Sequence, residues 1–251
     1  ERAISRLGAR RAVLNDLSPA ATFIAYNYNP PVDVAAFERE ARRILKEVED
    51  ELGWMYETSH NGEDKAGQIH YTVWSDIVAC PNCTQEFVYW DVAVDAKAHE
   101  VYDTFNCPNC AVSLTTRRVQ RLKETHFDHS VQTLLENAKQ KPVMISYSVG
   151  TKRYEKTPSE DDLAKLERIN SYSIAHWYPT AELPKADRYY KDSLHLRGLT
   201  HVHQFYTHRN LGILAAVMAK IEESAISQRE KAWLRLFFTS LLPRLDQLKS
   251  L

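Results

Sequence analysis

Every cysteine of this chain falls in one of two identical tetrapeptides, Cys80-Pro81-Asn82-Cys83 and Cys107-Pro108-Asn109-Cys110, separated by 23 residues. A structural zinc ion takes four soft ligands in a tetrahedron, and four thiolates supply that set. A two-residue spacer lets both sulfurs of a pair reach one ion, and proline fixes a backbone angle in the tight turn between them. The gap is rich in strand-forming residues and long enough for a hairpin that returns the second pair to the first. The expectation is one structural Zn2+ held by Cys80, Cys83, Cys107 and Cys110.

Two other cysteine chemistries fit less well. A redox Cys-x-x-Cys sits at a helix start and needs no duplicate. A catalytic zinc keeps one position open to water, whereas four thiolates close the shell. The pattern is therefore that of a zinc ribbon. Clustered rather than scattered cysteines also point to a reducing compartment, the cytoplasm. The ten histidines are dispersed. His126 with His129, and His201 with His203, read as surface or core polar packing rather than metal ligands.

The net charge of -1 over 251 residues gives no global field for a polyanion, so nucleic acid would have to bind through a local patch. The basic run Arg117-Arg118-Val119-Gln120-Arg121-Leu122-Lys123 is one such patch, read either as phosphate contacts or as a solvated helix face. No apolar run approaches the roughly 18 residues of a membrane span. The chain opens Glu1-Arg2-Ala3-Ile4, without methionine or a signal segment. The expectation is a piece cut from a longer protein.

Around the cysteines the pattern is mixed. Residues 1–7 read as the end of a helix closed by Gly8. Residues 11–16 read as a short buried strand ending in Asp16. Ser18 with Pro19 starts a helix to about Tyr26, which Asn29-Pro30-Pro31 breaks. Asp33 caps a long helix with Val34, Phe37, Ala41, Ile44, Leu45, Val48 and Leu52 on its apolar stripe. Residues 60–67 read as a polar loop. Strands are expected over 69–74, 87–90, 101–102 and 142–150. Ser159 starts a helix to about Asn170, Thr207 caps another, and a last helix covers Gln228 to about Leu242. The fold class is α+β or α/β: a partial Rossmann-like unit over 1–58, a zinc-ribbon insertion over 68–125, and a mixed to helical region over 126–251.

The run Gly8-Ala9-Arg10-Arg11-Ala12-Val13-Leu14-Asn15-Asp16-Leu17-Ser18-Pro19 resembles the second strand and following turn of amino-methylating DNA methyltransferases. An acid at a strand tip can accept both ribose hydroxyls of a nucleoside cofactor. The resemblance implies that this cofactor is S-adenosylmethionine and that Asp16 binds it. The likeness continues through Ile24–Asn29, Trp74-Ser75-Asp76, Tyr89–Asp95, Trp177-Tyr178-Pro179-Thr180 and Gly198–Leu211. Together these segments look like a group of bacterial and archaeal methylases with an inserted zinc ribbon. The resemblance implies DNA as partner and adenine N6 or cytosine N4 as target.

The departures decide what the chain does alone. The seven glycines stand at 8, 53, 62, 67, 150, 198 and 212, and no two are close enough for a glycine-rich cofactor loop. The catalytic tetrapeptide needs an aromatic ring after Pro-Pro to stack on a flipped base. Asn29-Pro30-Pro31-Val32 offers valine, directly after the first helix, and reads as a helix stop. The expectation is an interior fragment of the enzyme, with no catalytic residue of its own and inactive alone. Arg209 and Asn210, at a helix start, are candidate contacts to cofactor or substrate, beside ordinary capping roles. The alternative is a non-catalytic zinc-ribbon module that binds nucleic acid or a protein; a third reading is a structural subunit of a defence assembly. An incomplete sheet would leave edges open to a second copy or an assembly partner.

Overall fold

The computed structural model describes residues 13–60, 63–96, 98 and 100–245. In chain order they form α1 (Pro19–Tyr28), α2 (Val34–Leu52), β1 (Glu57–His60), β2 (Glu63–Ala79), β3 (Glu86–Val88), α3 (Tyr89–Ala93), β4 (Val94–Asp95), β5 (Glu100–Val101), β6 (Thr104–Asn106) and β7 (Ser113–Thr115). There follow β8 (Gln120–Arg121), β9 (Lys123–Asp128), β10 (Thr133–Ala138), β11 (Gln140–Val149), β12 (Lys152–Lys156), α4 (Glu160–Asn170), α5 (Asp187–Lys191), α6 (Leu194–Arg197), α7 (His208–Glu223) and α8 (Gln228–Leu245). The fold is α+β, and every strand pairing among the described residues is antiparallel. No helix among them is long and apolar enough to cross a membrane.

The chain divides into two compact units. The first comprises residues 1–47 and 217–244 and is helical where described. Ser18 caps α1, accepting the Ala21 N–H at 3.4 Å, with Pro19 in the first turn. Asp33 accepts the Ala36 N–H at 3.0 Å at the start of α2. Between them the prolines stop α1, and the freed carbonyls are gathered by one side chain. The Arg229 guanidinium donates to the Asn27 carbonyl at 2.7 Å, Pro30 at 2.6 Å and Pro31 at 3.1 Å. A guanidinium presents five N–H donors in a fixed fork, so one arginine can close a helix end that proline leaves open. Trp233 meets Tyr28 and Phe37 edge to face, and Phe37 meets Phe237 likewise. Along the α2 stripe Ile44 is buried, while Val34 and Leu45 are exposed. Leu45 lies about 100° around the helix from Ile44, so one face cannot take both.

The strand expected over 11–16 is not present in its described part. Residues 13–16 form no strand, and residues 1–12, with the expected helix end and Gly8, lie outside the described residues. A strand needs a neighbour to take its N–H and C=O groups, and no described strand pairs with this segment.

The second unit comprises residues 48–216 and 245–251. Its main sheet runs β1-β2-β11-β12, with β3 and β8 pairing the far end of β2. Ile69, Ile145 and Tyr147 form its buried centre, against Tyr56, Val149 and Tyr154. Residues 63–67, expected as loop, are the first part of β2 and pair with β1. Gly67 belongs there because a Cβ would stand 2.4 Å from the Tyr147 ring. Tyr89 and Trp90, expected in a strand, open α3 instead, where the buried Ser75 hydroxyl accepts the Trp90 N–H at 2.9 Å. A capping box of Ser159 and Asp162 starts α4 as its sequence suggests.

β2 is the element that positions the cysteines. Its middle residues pair with β11, and its last three, Ile77–Ala79, pair with β3. The first knuckle therefore leaves directly from the longest strand of the sheet.

Candidate metal centre

The two cysteine pairs occupy matching loops. In the first, the Thr84 N–H donates to the Cys80 carbonyl at 2.9 Å and the Cys80 N–H to Gln85 at 3.0 Å. In the second, the Ala111 N–H donates to Cys107 at 3.0 Å and the Cys107 N–H to Val112 at 2.9 Å. Each loop turns through a left-handed residue one place after its second cysteine, Thr84 at φ 59° and Ala111 at φ 57°. Strands frame both: β2 and β3 hold the first, β6 and β7 the second. Around them Ala93, Phe105 and Leu114 form a small buried core with Cys80 and Cys107.

The four Sγ atoms all lie within 4.8 Å of one another. Cys80 and Cys110 are 3.8 Å apart, and Cys83 and Cys107 are 3.7 Å apart. A disulfide would bring sulfurs to about 2.05 Å, and all four cysteines are free. Sulfurs bound at about 2.3 Å to a tetrahedral zinc stand about 3.8 Å from each other. The spacing is thus that of the edges of a metal tetrahedron, and this group can hold a metal ion such as zinc. It is the only such group of three or more histidine, cysteine or acidic ligands among the described residues.

The surrounding dipoles favour thiolate at particular sulfurs. The Asn82 amide donates to Cys110 Sγ at 3.5 Å, and with the Val112 N–H it draws that thiol down to about 6. The Gln85 N–H and then the Asn109 amide lower Cys83. Burial pushes Cys80 up to about 11. Each knuckle asparagine therefore serves the second cysteine of the other knuckle. Sequence reasoning passed over both asparagines, although their identical place in the duplicated tetrapeptide is a visible signal.

The other singled-out residues fall elsewhere. Asp16 is exposed, and its Oδ1 accepts the Ser18 N–H at 2.8 Å, an ordinary turn before α1. The basic run is turn and strand rather than a helix face. Within it Arg121 pairs with Asp76 at 3.0 Å and Lys123 with Glu136 at 2.8 Å, while Arg117 and Arg118 are exposed. His126 and His129 are exposed, and the buried His203 meets Asp128 at 2.8 Å through Nε2. Asn210 is held from three sides: by the Tyr56 hydroxyl, by Thr207 Oγ1 and by the Leu245 carbonyl. These bonds give it a structural role at the start of α7.

Compared with protein-family models, with curated proteins and with solved structures, the chain matches none.

Proposed function

We propose that this chain belongs to an S-adenosylmethionine-dependent DNA methyltransferase acting on an exocyclic amino group, adenine N6 or cytosine N4, and that its four cysteines form a structural zinc ribbon. The observation that carries the reading is the tetrathiolate. Its sulfur spacing suits zinc, and its first knuckle lies between Trp74-Ser75-Asp76 and Tyr89–Asp95, two of the segments that resemble the methylase group. In this reading Zn2+ organises the insertion and does no chemistry, since a closed thiolate shell leaves no site for water. Asp16 would accept the ribose hydroxyls of the cofactor, and the protein works in the cytoplasm on DNA. The glycine-rich loop and the Pro-Pro-aromatic turn are not among these 251 residues, so methyl transfer is not expected of them alone.

The test is methyl transfer from labelled S-adenosylmethionine to DNA by the protein as its gene encodes it, with Asp16→Ala beside it. Label should appear on an exocyclic amino group. Loss of two charge-assisted hydrogen bonds should weaken cofactor binding about 100-fold. No transfer, or an Asp16→Ala protein with unchanged cofactor affinity, would refute the assignment. One observation favours the second reading, a non-catalytic zinc-ribbon module: the Asp16 carboxylate is already used in a local turn. In that case zinc would bind and the cofactor would not.

A further inference from the structure

The four sulfurs differ in how far solvent reaches them. Cys80 and Cys107, the first of each pair, are buried, whereas Cys83 and Cys110, the second of each, are half-buried. The cluster of Ala93, Phe105 and Leu114 takes in the first two. A thiolate bound to a metal remains a nucleophile, and protons, competing ligands and electrophiles attack it where water reaches it. The half-buried sulfurs are therefore where such a centre opens first.

Those two sulfurs are the ones that the knuckle asparagines meet. The Asn82 Nδ2 amide donates to Cys110 Sγ at 3.5 Å, and the Asn109 side chain hydrogen-bonds Cys83. Each sulfur also takes a main-chain N–H of its own loop, Val112 at Cys110 and Gln85 at Cys83. The asparagines are not needed to close their own turns, which the Thr84 N–H to the Cys80 carbonyl and the Ala111 N–H to the Cys107 carbonyl already do. An asparagine in a turn commonly bonds its own backbone, but both of these side chains reach across to the other loop. The close sulfur contacts, Cys80 with Cys110 and Cys83 with Cys107, cross in the same way. Both asparagines are exposed, so apolar packing does not account for their place.

We propose that Asn82 and Asn109 are positioning residues that hold the two solvent-reachable thiolates of the metal centre, each locking the second cysteine of the opposite knuckle and slowing metal loss. The inference rests on the structural-zinc part of the reading above and deepens it. An N–H donated to a thiolate disperses its charge and orients it, which weakens it as a nucleophile without removing it as a ligand. Because the bonds cross, each loop depends on the other for the hold on its exposed sulfur.

The experiment uses the full chain loaded with Zn2+ or Co2+, comparing the parent with Asn82→Ala, Asn109→Ala, the double variant and Gln85→Ala. Gln85→Ala is the control, since it removes an exposed side chain of the same loop and keeps the main-chain N–H at Cys83. Zinc affinity and release rate are read by transfer to a chromogenic chelator. Cobalt reports on the sulfurs directly through its sulfur-to-metal charge-transfer absorption. Each single variant should hold zinc about 10-fold less tightly, the lower end of what loss of an outer partner costs a metal site, and the double variant less tightly still. The charge-transfer band should move to lower energy in both, because the lost bond had stabilised the sulfur lone pair; a looser turn alone would not move it. Gln85→Ala should match the parent in every reading. If the parent shows the cobalt spectrum of four thiolates and the asparagine variants are indistinguishable from it, this inference is overturned while the zinc reading stands. It is overturned equally if the asparagine variants weaken binding no more than Gln85→Ala does, since they would then be ordinary turn residues. A parent that takes up neither metal overturns the zinc reading and this inference with it.

Discussion

If zinc fills the four-cysteine group as proposed, removing it should unfold one part of the second unit and spare another. The fully buried cluster at the knuckles holds, besides Cys80 and Cys107, Ala93, Phe105 and Leu114, with Phe87, Tyr89, Val92 and Val119 half-buried against it. Its two large buried side chains contribute about 1.5–3 kcal/mol each on burial, and the half-buried ones less. A thiolate-bound structural zinc supplies roughly 10–16 kcal/mol of apparent binding energy at neutral pH. The ion therefore outweighs the apolar core around it, and rearrangement of these side chains does not replace it. The main-sheet cluster of Ile69, Ile145 and Tyr147 contains no metal ligand and should persist. The perturbation is a strong zinc chelator, or Cys80→Ser with Cys107→Ser. The assay is metal content together with amide hydrogen exchange. The untreated protein should carry one zinc per chain. On stripping, the amides of Cys80, Thr84, Cys107 and Ala111, each bonded across its own knuckle, should lose protection, while those of β11 keep theirs. If the stripped protein protects all four knuckle amides as before, the core holds itself and the reasoning is wrong. Loss of protection in both regions would refute the argument that the sheet is independent.

Two further outcomes follow from geometry elsewhere in the second unit. Gly198 has φ +75°, and a Cβ there would stand 1.8 Å from the Glu136 carbonyl oxygen. Gly198→Ala must therefore move backbone as well as adopt a left-handed alanine, a loss of at least about 3 kcal/mol readable as a lower urea midpoint; an unchanged midpoint would contradict it. Asp128 and Asp162 have lowered pKa values: burial opposes the shift, but His203 at Asp128, and Lys156 and Thr58 at Asp162, outweigh it. A carboxylate with a depressed folded pKa stabilises fully above its unfolded value and loses that contribution as pH falls through the folded one. Thermal stability should decline below about pH 4, and less steeply in Asp128→Asn and Asp162→Asn; identical slopes in the parent and both variants would refute it.

What could be read from the sequence is what is decided within a few residues. The metal group is legible because both cysteines of a pair sit on one tight loop, and the duplicate announces that two loops share one task. The helix starts at Ser18, Asp33 and Ser159 are legible for the same reason, since a cap reaches only three residues ahead. Misreadings cluster where a distant partner decides. Tyr89 and Trp90 suit a strand by composition, but Ser75, fifteen residues back on β2, accepts the Trp90 N–H and a helical turn results. Residues 63–67 are polar enough for a loop, yet β1 lies beside them and supplies a ladder. The basic run 117–123 lacks alternation, and β2 nevertheless pairs Gln120 and Arg121.

The same distinction bears on the candidate sites. Asp16 was singled out from a resemblance within one stretch of chain, and its observed bond, to the residue two places on, is equally local. Arg209 stands out in the sequence only by its place at a helix start, beside Asn210. Its packing against the Tyr56 ring, with Nε left without a partner, shows only in the fold. An unmet demand is a property of the folded surroundings, so periodicity and spacing cannot register it. The four-cysteine group is the opposite case, in which four candidate ligands and their spacing are written in the chain and folding only brings two ready halves to a shared distance of about 3.8 Å. Sites made of supplied ligands can be read early. A residue whose role is set by distant neighbours has to be read from the fold, as Trp90 is by Ser75.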